Sequence, residues 1–299
     1  MDLHDEPPAL SQRLPLGIAV LAAALGGLGL IFWIAANWDT LGRAGRFALL
    51  QGCVAAMCTG ALWRPALRAP LGLLALLAIG GLFAFFGQTY QTGADPWQLF
   101  SLWAALALPL CLGVRSDVLW APFALVAMSA VSLWIVAHTG HRWRTDPQDL
   151  PAHLVGWSMA LALVVALHPA WHRFTGGGLW GERTAVTLAV VMICVSGSTA
   201  VFSDRSGAHY ALALAVLGLA AVALANARSF DIYGLSAVAL GLNALLLAGL
   251  AHLLFDRHGS GDEIGRLTTL GLSAAGLLAA SVSGVMRLAR RQARTGVAA

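Results

Sequence analysis

Residues 70–113 read PLGLLALLAIGGLFAFFGQTYQTGADPWQLFSLWAALALPLCLG, and this stretch decides the fold. It contains two apolar runs, 70–87 and 97–113, joined by a turn rich in amide and aromatic residues. Each run approaches the ~20 residues that an α-helix needs to cross the hydrocarbon core of a bilayer. Strands of a membrane barrel would alternate polar and apolar residues, and these runs do not. The stretch therefore predicts a pair of transmembrane helices.

The composition of the whole chain indicates lipid as its solvent. Of the 299 residues, 59% are hydrophobic and only 11% are charged, about half the charged fraction of a typical soluble domain. A long chain this apolar could not cover its surface with polar groups in water. The net charge of +4 comes from scattered arginines, not from a basic cluster with interleaved aromatic residues, so it does not indicate nucleic acid as a partner. The lipid bilayer is the partner that the composition predicts.

Apolar runs of spanning length recur from one end of the chain to the other. The first is about 22 residues long, which exceeds the apolar core of a signal peptide, so we predict an uncleaved first span. The fold class is therefore all-α: a polytopic transmembrane helical bundle of about ten spans. The predicted spans are 15–36, 45–63, 70–87, 97–113, 118–137, 152–168, 184–202, 209–225, 232–254 and 267–286.

The distribution of arginines sets the orientation. With ten spans, eleven of the 18 basic residues fall on the side of the two termini and seven on the other side. The positive-inside rule then places both termini in the cytoplasm. The predicted organisation is a short cytoplasmic segment (1–14), a transmembrane helical domain (15–286) and a basic cytoplasmic tail (287–299).

Polar and aromatic residues gather at two bends on the outward side. One bend ends the first span and the other joins the third span to the fourth, so side-by-side packing of these spans would bring the bends together. Amides, carboxylates and aromatic rings together suit a small polar or amphipathic ligand. We call this candidate ligand-binding set the corner: Asn37, Trp38, Asp39, Gln88, Tyr90, Asp95 and Trp97.

A structural interpretation of the corner competes with the functional one. Trp38, Tyr90 and Trp97 lie where an interfacial aromatic belt is expected. Asp95 before Pro96 is typical of a helix start, with the carboxylate as N-cap and the proline at the first helical position. On this interpretation the corner residues cap helices and anchor them at the membrane surface.

The sequence predicts no metal site, no cofactor and no catalytic residue. His138 and His141 lie near Asp146, Asp149 and His153, but glycine and two prolines indicate an irregular loop without a fixed face for metal ligands. The four cysteines all lie inside apolar runs and read as small buried hydrophobes. No hydrolase motif is present, and no Asp, Glu or Arg falls in the middle of a predicted span, which disfavours proton relays.

Three motifs carry a resemblance to a known family. They are FWIAANWD at 32–39, GQTYQ at 87–91 and DPWQLFSLWA at 95–104. Together they resemble the bacterial predicted membrane proteins grouped as domain of unknown function 2157, over roughly the first third of the chain. The resemblance implies a multi-pass bacterial inner-membrane protein without an established activity. It also singles out the corner residues, and it supplies no reaction.

Three functional hypotheses follow from the sequence. The favoured one is a protein that binds or transports a small polar or amphipathic molecule at the corner. The alternative is a structural or assembly subunit of a cell-envelope complex, with a protein partner docked at the same place. The third, and least favoured, is a membrane enzyme acting on a lipid-linked substrate with Asp39 or Asp95 as base.

The threading predicts that Gly93 and the C-terminal arginines lie on opposite faces of the membrane. Reporter fusions at Gly93 and after residue 299 test this: a periplasmic reporter should be active only at Gly93, and a cytoplasmic reporter only at the C-terminus. Both fusion sites reporting from one face would contradict the predicted threading.

Overall fold

A computed structural model of the chain describes residues 8–36, 42–90, 93, 95–140, 145–203, 207–226, 230–256 and 263–297. These residues are almost entirely helical, and no strand occurs among them. Three single turns of 3-10 helix precede α3, α6 and α7. The helices are α1 (Pro8–Ala36), α2 (Arg43–Trp63), α3 (Arg68–Tyr90), α4 (Pro96–Val114), α5 (Asp117–His138), α6 (Leu150–Ala166), α7 (His172–Thr175), α8 (Leu179–Val201), α9 (Gly207–Ala225), α10 (Ile232–Asp256) and α11 (Glu263–Val297).

The predicted all-α polytopic class is confirmed, and each predicted span coincides with one of the long helices. Within the described ranges, nine helices are long and apolar enough to cross a membrane: α2 to α6 and α8 to α11. The helix that carries the first predicted span, α1, contributes a shorter apolar stretch, Gly17–Gly29. α11 continues without a break to Val297, so residues 287–297 extend the last span as helix.

The chain divides into two compact units, with boundaries inside α5, α6 and α8. The first unit holds residues 1–131 and 165–182 and is built around α3. The α3 residues Leu73, Ala75, Leu76, Ala78 and Ile79 are all buried. This helix is apolar on every face because α1, α2 and α4 surround it, which is the pattern expected of a central helix.

A glycine allows α4 to approach α3 closely. A Cβ atom added to Gly80 would overlap the indole ring of Trp103 in α4. The ring is fixed there because Trp103 Nε1 donates a hydrogen bond to Leu76 O at 2.9 Å. Small residues let membrane helices pack at short distance. A larger residue at such a position would weaken the packing, and the hydrophobic effect could not compensate, because lipid is as apolar as the helices.

The second unit holds residues 132–164 and 183–299. Its core is a cluster of buried apolar side chains from α6, α8, α9 and α10: Trp157, Val190, Ile193, Ala213, Leu217, Val238 and Leu245. Two glycines lie beside this cluster. A Cβ on Gly197 would meet Ala213 and Leu245, and one on Gly241 would meet Val190. The second unit therefore uses the same device of small residues at helix crossings as the first.

Substituting Gly80 with alanine should destabilise the first unit. The added methyl group overpacks the fixed Trp103 ring, which typically costs about 1–3 kcal/mol, more than the ~1 kcal/mol gained in helix propensity. Gly52→Ala is the matched control, because a Cβ at Gly52 has no neighbour within 4 Å. Thermal unfolding of the purified protein in detergent measures both variants. Equal melting temperatures for the two would refute the close approach of α4 to α3.

Candidate functional site

The structure describes the corner residues to different extents. Asn37, Trp38 and Asp39 lie outside the described residues. Gln88 and Tyr90 belong to the last turn of α3, where the backbone is described and the side chains are not. Asp95 and Trp97 are described in full, and both side chains are half-buried. Whether the corner is one site therefore depends on where the four helices that border it begin and end.

The packing of α1 on α3 sets the level at which α1 ends. A Cβ on Gly27 of α1 would lie 3.2 Å from side-chain atoms of both Leu74 and Leu77 of α3. Ala36, the last residue of α1, is nine residues beyond Gly27. In two parallel helices of equal rise, this level corresponds to about residues 83–86 of α3. α1 therefore ends beside the last turns of α3, close to Gln88.

The start of α2 lies at the same end of the first unit. The Phe47 ring packs on Phe85, with ring centroids 4.7 Å apart, and lies 6.4 Å from Phe86. The guanidinium carbon of Arg46 lies 6.0 Å from the centroid of the Phe85 ring, within the distance of a cation–π contact. Arg46 and this aromatic cluster thus border the corner, although the sequence interpretation had not assigned them to it. The adjacent FF pair at 85–86 was the one available signal.

The start of α4 reaches the corner from the other side of α3. Gly87 approaches Leu99 so closely that an added Cβ would lie 3.0 Å from Leu99 Cδ1. Trp103, one turn further into α4, packs on Gly80. The two helices are therefore antiparallel, with Asp95 and Trp97 at the level of the last α3 turn. Four helix termini meet at one end of the first unit: the C-terminal ends of α1 and α3 and the N-terminal ends of α2 and α4.

Asp95 occupies the N-cap position of α4 but does not make the side-chain hydrogen bond of an N-cap. It directly precedes α4, has extended backbone angles (φ −60°, ψ 140°) and is followed by Pro96 at the first helical position. Only its backbone oxygen takes part in the turn, accepting from Gln98 N at 3.0 Å. The carboxylate makes no capping hydrogen bond. The predicted capping position is thus confirmed, while the side chain does not perform the capping.

In the same unit, the carboxylate of Asp117 has both of its oxygens hydrogen-bonded within the fold. It lies at the first position of α5, and its two oxygens each accept a 2.7 Å hydrogen bond, from the backbone nitrogens of Trp180 and Gly181. These donors belong to the first turn of α8, whose backbone N–H groups have no partner within their own helix. Asp117 therefore joins the starts of α5 and α8. The sequence gave no sign of this pairing, because the partners are more than sixty residues apart.

The loop histidines have structural roles where the chain is described. His138 Nδ1 donates to Trp134 O at 2.8 Å, and its ring stacks on the Trp134 ring at 4.2 Å. Asp149 Oδ2 accepts a hydrogen bond from Asp146 N at 3.1 Å, at the start of the turn that precedes α6. His153 is buried in the first turn of α6 and not in the loop. His141 lies outside the described residues, and no group of three or more potential metal ligands occurs within them.

Buried polar side chains of the second unit bond to one another across helices. Trp157 Nε1 of α6 donates to Ser196 Oγ of α8 at 3.1 Å, and Asn243 Nδ2 of α10 donates to Ser281 Oγ of α11 at 2.9 Å. Bonds of this kind are a common role for polar side chains inside a membrane helix bundle. These bonds connect helices of the second unit. Because these polar side chains have structural partners, the corner is kept as the candidate site.

Fold and site define a polytopic all-α membrane protein with a polar and aromatic corner at one end of its first helical unit. Residues 3–120 match the family model described as "Predicted membrane protein (DUF2157)", which confirms the resemblance drawn from the three motifs. The matched residues include all seven corner residues. No curated protein and no solved structure matches the chain.

Because its carboxylate does not cap α4, Asp95 should tolerate alanine. Asp231 is the matched control: it directly precedes α10, and its carboxylate accepts a hydrogen bond from Gly234 N. Loss of a working cap costs about 0.5–2 kcal/mol. We therefore expect Asp231→Ala to lower the melting temperature by several degrees, and Asp95→Ala to leave it within about 1 °C of the native value.

The measurement is thermal unfolding in detergent, followed by circular dichroism. A fall for Asp95→Ala as large as that for Asp231→Ala would mean that the Asp95 carboxylate is a structural cap after all.

Proposed function

We propose that the protein binds or transports a small polar or amphipathic molecule at the corner, which faces outward from a bacterial inner membrane. The observation that carries the proposal is the Asp95 carboxylate, half-buried among converging helix ends and not used to cap α4. Holding a carboxylate partly away from water costs free energy unless hydrogen bonds offset it, and α4 gives this one no capping bond. A ligand that donates hydrogen bonds to it would offset that cost.

The surroundings of Asp95 suit a ligand with a polar head and an apolar part. Phe86 exposes its ring at this end of the unit, and Phe47, half-buried beside it, packs on the buried Phe85 ring, over which Arg46 lies. Pockets for small molecules typically combine such apolar lining with a few polar groups that fix orientation. In this proposal Asn37, Gln88 and Tyr90 hydrogen-bond the polar head, while Asp39 and Asp95 accept from it.

The interior of the described spans argues against a proton-coupled mechanism. Their middle turns contain no Asp, Glu or Arg, the residues that form proton relays and ion pathways inside membranes. Binding at the membrane surface, or transport that does not depend on an intramembrane carboxylate, is the activity that these helices favour.

A thermal-shift screen of the purified protein tests the proposal. The panel contains monosaccharides, amino acids, polyamines and short-chain lysophospholipids. A ligand at 100 times its Kd stabilises the folded protein by about 2.7 kcal/mol, which should raise the melting temperature by roughly 5 °C or more. We expect at least one class to do so in the native chain and to lose the effect in Asp95→Asn.

Asp146→Asn is the control variant, since it removes the same charge in the second unit, at a capping position that asparagine also serves. It should retain the thermal shift of the native chain. Uptake of the active compound into proteoliposomes then separates transport from binding. If no compound shifts the native protein, and a protein partner that co-purifies with it is lost in Asp95→Asn, the corner is a docking site for an envelope subunit and the ligand proposal is wrong.

A further inference from the structure

The last helix is longer than a bilayer is thick. α11 has 35 residues, or about 52 Å at 1.5 Å per residue, against a hydrocarbon core of about 30 Å. Its apolar part, 267–286, supplies the ~20 residues that cross that core. The helical turns after Met286 therefore emerge at one surface of the membrane, whichever surface that is.

These emerging turns carry a stripe of arginines. Arg287, Arg290, Arg291 and Arg294 follow one another at intervals of three, one and three residues, which places them on one face of the helix. The side chains of Arg287, Arg290 and Arg291 are exposed. No acidic residue follows Glu263 in the sequence, so the end of α11 has no carboxylate of its own to balance this charge. We call these four residues the arginine stripe.

The opposite face of the same turns packs inward. Ser281 receives the hydrogen bond from Asn243 and so marks the side of α11 that contacts α10. Leu288 and Gln292, seven and eleven residues after Ser281, lie on that side and are half-buried. Arg287 and Arg290, about 120° and about 180° around the helix from Ser281, are thus directed away from α10.

We propose that the arginine stripe binds the headgroups of anionic phospholipids. Guanidinium groups pair bidentately with phosphate oxygens. The stripe extends about 10 Å along the helix from Arg287 to Arg294, and snorkelling brings such side chains to the level of the headgroups. Directly before it, Leu278, Val282 and Met286 expose apolar surface suited to lipid tails, each at least 46% exposed. Along the helix, apolar surface is followed by positive charge, just as the apolar tails of an anionic phospholipid leaflet are followed by its negatively charged headgroups.

The test compares lipid binding by two double variants of the full-length protein in detergent. Arg287→Gln/Arg290→Gln removes two charges from the stripe. Arg64→Gln/Arg173→Gln removes two exposed arginines outside it, on the same predicted side of the membrane. Native mass spectrometry measures the Kd for phosphatidylglycerol and for phosphatidylcholine. Glutamine keeps the helix propensity, and circular dichroism checks that each variant is folded.

We expect phosphatidylglycerol to bind the native chain more tightly than phosphatidylcholine. Its affinity should fall on the order of tenfold in the stripe variant and stay unchanged in the control. Arg287→Lys/Arg290→Lys should retain most of the affinity, because the charge is kept. Equal losses in both double variants, no preference over phosphatidylcholine, or displacement of the lipid by millimolar inorganic phosphate would each overturn the proposal. The last result would point to a site for free anions.

Discussion

The constraint on which this structure depends is that lipid tails offer no hydrogen-bond partner to the backbone. A helix satisfies its N–H and C=O groups internally, so a chain this apolar folds as helices wherever it crosses the hydrocarbon. Hydroxyl side chains obey the same constraint: Ser158 donates to Leu154 O, and Thr199 donates to Val195 O, each one turn back in its own helix. The indole nitrogens of Trp103 and Trp157 reach partners on neighbouring helices. These polar side chains of the described spans thus add hydrogen bonds within or between helices.

The lipid environment also determines how the helices are held together. Because lipid is as apolar as a leucine side chain, burial of apolar area contributes little to helix association in a membrane, and close packing has to supply it. Glycines allow that packing at defined places. Gly80 receives the Trp103 ring in the first unit, and Gly241 lies against Val190 and Leu217 in the second. The sequence has 33 glycines in all, and the ones that allow this packing lie inside helices, away from turns.

The spans were predictable because length and hydropathy are local properties of the sequence. The predicted span 97–113, for example, is one residue shorter at each end than α4. The corner was predictable as a set of residue types at two bends. The contacts that decide its chemistry were not, since they depend on helix register. Phe47 meets Phe85 only because α2 and α3 run antiparallel at one particular offset. In the sequence, Asp117 likewise looks like an ordinary residue at a helix start. Its pairing with the backbone of Trp180 is visible only in the folded structure.

These carboxylates give the strongest reason to place function at the corner. Asp117 accepts two backbone hydrogen bonds, Asp231 accepts one, and Asp149 accepts from the backbone of Asp146. Each of these bonds offsets the cost of holding a charge at a helix terminus partly away from water. Asp95 occupies the same kind of position without such a bond. In the proposed function, a ligand supplies to this half-buried carboxylate the hydrogen bonds that α4 does not give it. The proposed ligand therefore belongs beside Asp95, the carboxylate among these four that does not cap a helix.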